Sequence, residues 1–595
     1  MKHLICLFVL LFPGVIAAQQ PHLIHGLLQQ WSFEQALKEA EKALASNPQN
    51  PLVHSAVGSV LYSLGYSHQA LLFLREAQKA GAYVDEDVLE RATHTQSYEA
   101  YYKHLETPHF KIRYMNKDLV TATYAQEVLE KAYTRITQTL AYTPPASAVK
   151  IVVDIVPNAK ALADETGLTV KEISTSGTIA VCKYHKLMIT SPLAVSSGYL
   201  WADTLSHELT HFFISKKSKN KTPIWLHEGI AKYVESVWKG KAGQNSGAYG
   251  EKLLAQATQK KDWIPFSAMH PSMAKLPSQD DTSLAFAEVF TVIEFLDKTY
   301  TLQTVGRVLD SLGEGLSIDQ ALLKNIHMDL KKLETTWHAS LLKRPFKTHA
   351  HAKPAHIIWN TQEEGALEAS QESIQNADVE KFLRLGELLQ LRGHLPQAIV
   401  EYQKAHTLSQ HLYPQVTYTL AKAYMQQRNH SAAQTLLQEA AQHTPEDHHD
   451  LLLLMGHMHL EQQQWEKAQT LFETLRYRNP YNPALHTALE KIYGHFKKNT
   501  LAQQEKNFAA LCEQPRPRIP AYTEPSSPQN AGITLITPIW VPVLLNKTVP
   551  LHTPLWNYPL PTGTHTLQYP NGTTQQISVK PHTTQTLAPP LHYGG

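Results

Sequence analysis

Tyr199-Leu200-Trp201-Ala202-Asp203-Thr204-Leu205-Ser206-His207-Glu208-Leu209-Thr210-His211-Phe212-Phe213-Ile214-Ser215-Lys216 reads as one helix, with Leu200, Leu205, Leu209 and Phe212 along an apolar side. His207 and His211 are four residues apart, so both imidazoles leave the same face and can reach one ion. Glu208 lies roughly a quarter-turn round from His207, where its carboxylate can address a water at that ion without displacing a ligand. The chain has 33 histidines, so the pattern alone is a weak signal and its surroundings must carry the argument.

A catalytic zinc site normally takes three protein ligands and leaves the fourth position open. The third is sought in Pro223-Ile224-Trp225-Leu226-His227-Glu228-Gly229-Ile230-Ala231-Lys232-Tyr233-Val234-Glu235, where Pro223 suits the start of a second helix. Glu228 would face back across a short loop toward the histidines, and Gly229 and Ala231 permit close packing there. His227 is the rival, but it lies about 100° from Glu228 on an ideal helix, so the two do not serve one ion together. Glu228 is favoured because a carboxylate completes a two-histidine, one-glutamate set. A further histidine six residues after His211 would define another class of site, and that position is Lys217.

The two quoted stretches together resemble the gluzincin metallopeptidases, particularly the bacterial peptidase MA-like domains that accompany tetratricopeptide repeats. The likeness covers about residues 105–345. It implies a zincin-like α+β fold, one Zn²⁺ per chain held by His207, His211 and Glu228, Glu208 as general base, and a protein or peptide as substrate. Endopeptidase action is preferred, because no GxMEN segment for holding a free amine is present. Relatives place a tyrosine after the site to serve the developing oxyanion, and the best-aligned residue here is Phe286, which cannot donate. Tyr233, His185 or another residue is left to supply the donor. In this superfamily an edge strand beside the metal pairs with substrate, and either Ser176–Cys182 or His185–Thr190 could be that strand. Cys182 would then sit near the site.

Outward from this segment, small residues recur in phase. Ala398, Ala433 and Ala468 are 35 apart, as are Gly386, Ala421 and Gly456, and prolines 414, 445 and 480 punctuate the helices. Residues 365–512 therefore read as a tetratricopeptide-like array of three repeats and a closing helix pair, a surface for a protein partner. Residues 21–95 repeat the theme, with Ala36 and Ala70 spaced by 34. Residues 513–532 are rich in proline and read as an extended linker. Residues 533–590 alternate as short strands at 533–536, 540–545, 565–569 and 576–579, with a slight likeness to PEGA modules. The whole is a multidomain chain: a zincin-like α+β domain flanked by helical repeats, then a small β domain.

The formal charge of +2 over 595 residues, without a long basic run, excludes nucleic acid as an expected partner. Residues 1–18 read as a signal peptide, with Lys2, the apolar run Leu4 to Phe12, and cleavage near Ala17 or Ala18. The expectation is an exported protein, periplasmic, secreted or held at the envelope, with no membrane span in the mature chain. That chain keeps two cysteines, Cys182 and Cys512, too few for a disulfide scaffold. His349-Ala350-His351, His448-His449 and His457-Met458-His459 lack acids at ligand spacing and read as solvated or packing residues.

Overall fold

The computed structural model describes residues 13–514 apart from 100, 146–148, 197, 245, 347–351, 353–356, 361–373, 375 and 444–448, and residues 532–535, 542–547, 549–552, 555–569, 572–580 and 584–587. Most of the proposed leader and linker lies outside these residues. So do most of the first two histidine clusters.

Five helices come first: α1 (Pro13–Gln29), α2 (Phe33–Ser46), α3 (Pro51–Ser63), α4 (Ser67–Lys79) and α5 (Glu86–Glu99). Ala36 and Ala70 are fully buried between them. A Cβ on Gly58 would fall 2.6 Å from Leu74, so the small residue is what lets α3 and α4 meet.

The next segment contains a five-stranded sheet and a helical half. Its elements are β1 (Lys103–Glu106), β2 (Phe110–Tyr114), α6 (Leu119–Thr139), β3 (Ile151–Val156), α7 (Ala159–Thr166), α8 (Val170–Ser176), β4 (Ala180–Lys183), β5 (Lys186–Thr190), α9 (Trp201–Ser218), α10 (Ile224–Val234), α11 (Ala248–Lys260), α12 (Gln279–Thr299), α13 (Leu302–Gly313), α14 (Ile318–Ile326) and α15 (Leu330–Leu341). The sheet order is β1-β2-β3-β5-β4, with β2, β3 and β5 parallel and the two edge strands antiparallel. β3 and β5 are buried throughout, as central strands covered on both faces must be. The expected strand from Ser176 is corrected: Ser176 ends α8, Gly177 adopts φ +68° as its left-handed cap, and the strand starts at Ala180.

A buried ionic network ties this sheet to the first helices. Arg113 on β2 binds Asp154 on β3 (2.5 Å), Glu99 on α5 (2.7 Å) and the Gly65 carbonyl (2.9 Å). Lys186 on β5 meets Asp154 (3.3 Å) and Glu165 on α7 (2.7 Å). Each buried charge thus has an opposite partner, the condition under which such groups are tolerated.

Four helix pairs form the array: α16 (Ala377–Leu391) with α17 (Leu395–Ser409), α18 (Pro414–Gln426) with α19 (His430–His443), α20 (His449–Glu461) with α21 (Trp465–Leu475), and α22 (Pro483–His495) with α23 (Asn499–Glu513). The phased small residues sit where paired helices touch: a Cβ on Gly386 would be 2.4 Å from Tyr402, and one on Gly456 2.9 Å from Phe472. His457 lies edge-on to Phe472, a packing role. Seven strands follow: β6 (Gly532–Leu535), β7 (Pro542–Leu545), β8 (Val549–His552), β9 (Leu555–Pro559), β10 (Gly563–Gln568), β11 (Thr574–Val579) and β12 (Thr584–Leu587). They make two sheets, ordered β11-β10-β7-β8 and β12-β6-β9. Among the described residues no helix is long and apolar enough to cross a membrane.

The last helices of the array pack onto the sheet-bearing segment. Tyr481 donates to the buried Asp118 (2.5 Å) and meets the Thr121 hydroxyl (2.7 Å), while Tyr124 on α6 donates to Glu505 on α23 (2.8 Å). The turn before Tyr481 meets the start of α9, where the Trp201 ring N–H donates to the Arg476 carbonyl (3.1 Å) and the Tyr199 amide to that of Arg478 (3.1 Å).

Candidate metal centre

α9 is buried almost all round, as suits a helix through the middle of a domain. Lys216 and Lys217 occupy its last turn, where cations favour the helix dipole, and Lys219 ends it in the left-handed conformation. α10 returns alongside, beginning after Pro223, and α12 packs on the far side of α10. Gly229 makes that packing close: a Cβ there would lie 2.9 Å from the Val289 carbonyl oxygen and 3.0 Å from Ile293.

α9 and α10 bring His207, His211 and Glu228 together, with one potential ligand atom of each within 4.8 Å of the others. Glu228 Oε2 is 3.6 Å from His207 Nε2 and 3.4 Å from His211 Nε2. Four ligands at about 2.0–2.1 Å from zinc have a tetrahedral edge of roughly 3.3–3.4 Å. The two separations lie close to that edge, and two imidazoles with one carboxylate are a donor set that zinc accepts. Burial alone would raise the Glu228 carboxyl, but His211 and His207 outweigh it and hold it well below the usual carboxylate range. Burial likewise opposes charge on His207, yet its hydrogen bonds to Glu228 and Glu235 push it up to about 10.

Glu235, which the sequence reading missed, stands 3.3 Å from His207 Nδ1 and is held by Lys232 at 2.6 Å. A carboxylate there fixes the ring and would leave Nε2 to face an ion, as outer carboxylates do at histidine metal sites. Its sequence signal was the seven-residue spacing from Glu228, two turns on along one helix face. His227 does not join the cluster. Its ring stacks on His211 at 4.5 Å, its Nε2 meets the Ser215 hydroxyl at 3.1 Å, and burial pushes its pKa down to about 3.

Glu208 is buried beside β4, and the Cys182 backbone N–H on that strand donates to its carboxylate. Burial raises its pKa, with His211 and His207 opposing. β4 is an outer strand of the sheet, so of the two candidate substrate strands it is the one with no neighbouring strand on one side among the described strands, its Cys182 N–H there engaging Glu208. Cys182 is half-buried, and burial with the nearby Glu208 charge pushes its thiol pKa well up, so it is a poor nucleophile.

The two oxyanion donors suggested from sequence are both engaged elsewhere. The Tyr233 hydroxyl donates to Asp297 (3.0 Å) on the α12 side. His185 binds the Val149 carbonyl (3.0 Å) and packs between Phe33 and Phe212, facing the first helices. Phe286 lies on α12, partly buried against the core.

Comparison with known proteins agrees with this organisation. Residues 136–343 match the Peptidase MA superfamily, and residues 389–449 and 426–492 match the tetratricopeptide repeat. The chain therefore carries a Peptidase MA superfamily domain together with tetratricopeptide repeats. No curated protein matches it. Among solved structures it is similar to a chain of the crystal structure of the APC/C hetero-tetramer Cut9-Hcn1, at 12% identity over 84% of this chain and 80% of that one. The TM-score of 0.23 is too low for that likeness to bear on the fold.

Proposed function

We propose that the protein is an exported zinc-dependent metallopeptidase that hydrolyses peptide bonds, with an endopeptidase preference, and that its repeats recruit substrate or partner proteins. The observation that carries this reading is the convergence of His207, His211 and Glu228 within 4.8 Å, with Glu208 buried next to them and against an outer strand. In this reading the three residues hold one zinc ion. When bound, zinc supplies Lewis-acid polarisation of the scissile carbonyl and makes a water more acidic. Glu208 takes the proton of the attacking water and returns it to the leaving amine. Glu235 orients His207, and the outer edge of β4 aligns an extended substrate through the backbone groups that Glu208 does not engage.

A second reading, a repeat scaffold for envelope assembly with a peptidase-like domain kept for its shape, draws on one observation: Tyr233 and His185 are both committed away from the site. Glu208→Gln separates the two. It keeps the side chain's shape, so zinc content and fold are expected to persist, while digestion of a peptide library falls about 10²- to 10⁴-fold with loss of the proton transfer. Full rescue of a deletion strain by Glu208→Gln would replace the peptidase reading with the scaffold.

A further inference from the structure

Two tryptophans beside the metal centre meet on one ring of the array. Trp201 opens α9, and Trp238 lies in the single turn Val237–Lys239 that follows α10 and Glu235. Tyr477, in the turn after α21, lies edge-on to Trp238 with ring centres 4.7 Å apart and tilted against Trp201 at 5.9 Å. Its hydroxyl accepts from Arg476 (2.7 Å), whose own carbonyl takes the Trp201 ring N–H (3.1 Å). One residue of the array thus touches the start of the helix that carries His207 and the turn behind the helix that carries Glu228.

That turn is gripped from α9 as well. Asp203 accepts from the Trp238 ring N–H (2.8 Å) and from Lys239 (2.7 Å), and it stands four residues before His207, on the same face of α9. A single hydrogen bond lets the indole pivot about it, and the ring packed against Tyr477 removes that freedom. Glu235 sits between α10 and this turn, as the residue that caps the helix. Backbone groups at a helix end lack the full set of intrahelical partners, so the chain that follows sets where such a residue points. The Glu235 carboxylate is the one that stands 3.3 Å from His207 Nδ1.

We propose that Tyr477 is a positioning residue for the metal centre: by holding Trp238, the array fixes the turn behind α10, and with it the Glu235 carboxylate that orients His207. The effect on zinc rests on the reading of His207, His211 and Glu228 as ligands, while the placement of Glu235 does not. The array is then part of the site's construction, besides any partner it binds. α6 also packs on the turn, so a change that opens the seam on the α6 side alone is the control. Phe508 on α23 supplies it, since its ring packs edge-on to Tyr124 of α6 at 5.6 Å.

The test uses the full chain. Tyr477→Ala is expected to speed hydrogen exchange at the amides of Glu235, Lys239 and Gly240, which bond to the Ala231, Ser236 and Val237 carbonyls. It is also expected to weaken zinc retention about 3- to 10-fold, less than direct loss of the outer carboxylate, and to shift the visible absorption of the protein loaded with cobalt(II) alone. Tyr477→Phe keeps the ring and should restore all three readings, and Phe508→Ala should change none. In a Glu235→Ala background, Tyr477→Ala should add no further loss of zinc, because its effect passes through Glu235. If Tyr477→Ala does not fold by circular dichroism, Tyr477→Leu, which keeps apolar cover without the flat ring, is read in its place. The proposal is overturned if the exchange is unchanged, if Phe508→Ala reproduces it, if a zinc-binding chain keeps its full affinity, or if the zinc loss persists undiminished without Glu235. A wild-type chain that retains no zinc refutes the ligand reading alone, and exchange at Glu235 then decides whether Tyr477 places it.

Discussion

Gly229→Ala adds one methyl group to a helix and is expected to lower both stability and zinc retention. In an unhindered helix the change stabilises by about 0.5–1 kcal/mol. At Gly229 the new Cβ would stand 2.9 Å from the Val289 carbonyl oxygen, 3.0 Å from Ile293 Cγ1 and 3.2 Å from Val289 Cβ. The first is backbone and Ile293 is fully buried, so neither swings aside. Restoring ordinary contacts of about 3.4 Å requires α10 to move off α12 by roughly 0.5 Å, and overpacking of this kind costs about 1–3 kcal/mol. Glu228 precedes Gly229 and moves with it, against a metal-site tolerance of about 0.2 Å. We expect a net loss of about 1–2 kcal/mol in urea unfolding and at least tenfold weaker zinc binding in competition with a chromophoric chelator. Gly494→Ala is the control, since nothing lies within 4 Å of the added methyl on α22, and it should be neutral or stabilising. A Gly229→Ala protein as stable as the Gly494→Ala protein, with unchanged zinc affinity, would refute the claim that close helix approach sets the third ligand.

Glu235→Ala should weaken zinc binding about 10- to 100-fold by freeing the His207 ring, measured by the same competition, and Glu235→Gln should lose less because an amide oxygen still accepts from Nδ1. The buried Glu288 accepts the Ile264 amide at both oxygens (3.1 and 3.2 Å), and burial, with the Asp262 charge adding, raises its pKa from 4.5 to about 8. Its folded pKa is the higher, so its contribution is complete below about pH 4.5 and is lost as pH rises through about 8. Glu288→Gln keeps the acceptor and removes the ionisation, so its advantage over wild type in urea unfolding should grow between pH 5 and pH 9 to a few kcal/mol. A pH-independent difference would contradict a buried neutral Glu288.

The meeting of His207, His211 and Glu228 was legible because the three lie on two consecutive helices, where period and a short loop determine which side chains meet. The array was legible for a related reason: Gly386 and Gly456 must be small wherever Tyr402 and Phe472 cross them, so packing leaves a repeating mark. Glu235 escaped because acids on exposed helix faces are common and only contact with His207 singles it out. The start of β4 was misread because Ser176-Gly177-Thr178 has strand-like composition while Gly177 is serving as a helix cap. β8, β9 and β12 were missed because prolines and polar residues interrupt their alternation. The contact of Tyr481 with Asp118 joins residues 363 positions apart, and no local pattern encodes such a pair.

That same contact sets an order of completion. Asp118 is fully buried, and its partner Tyr481 belongs to a turn that also supplies carbonyls to Trp201 and Tyr199 at the head of α9. A nascent chain that already contains His207, His211 and Glu228 still has an open seam along α6 and α9 until the last repeats arrive. A chain cut short before Tyr481 lacks one of the donors to that carboxylate, the Ser191 hydroxyl remaining, and leaves aromatic surface uncovered, the kind of defect that chaperones and proteases recognise. The last repeats thereby close the seam along α6 and the head of α9.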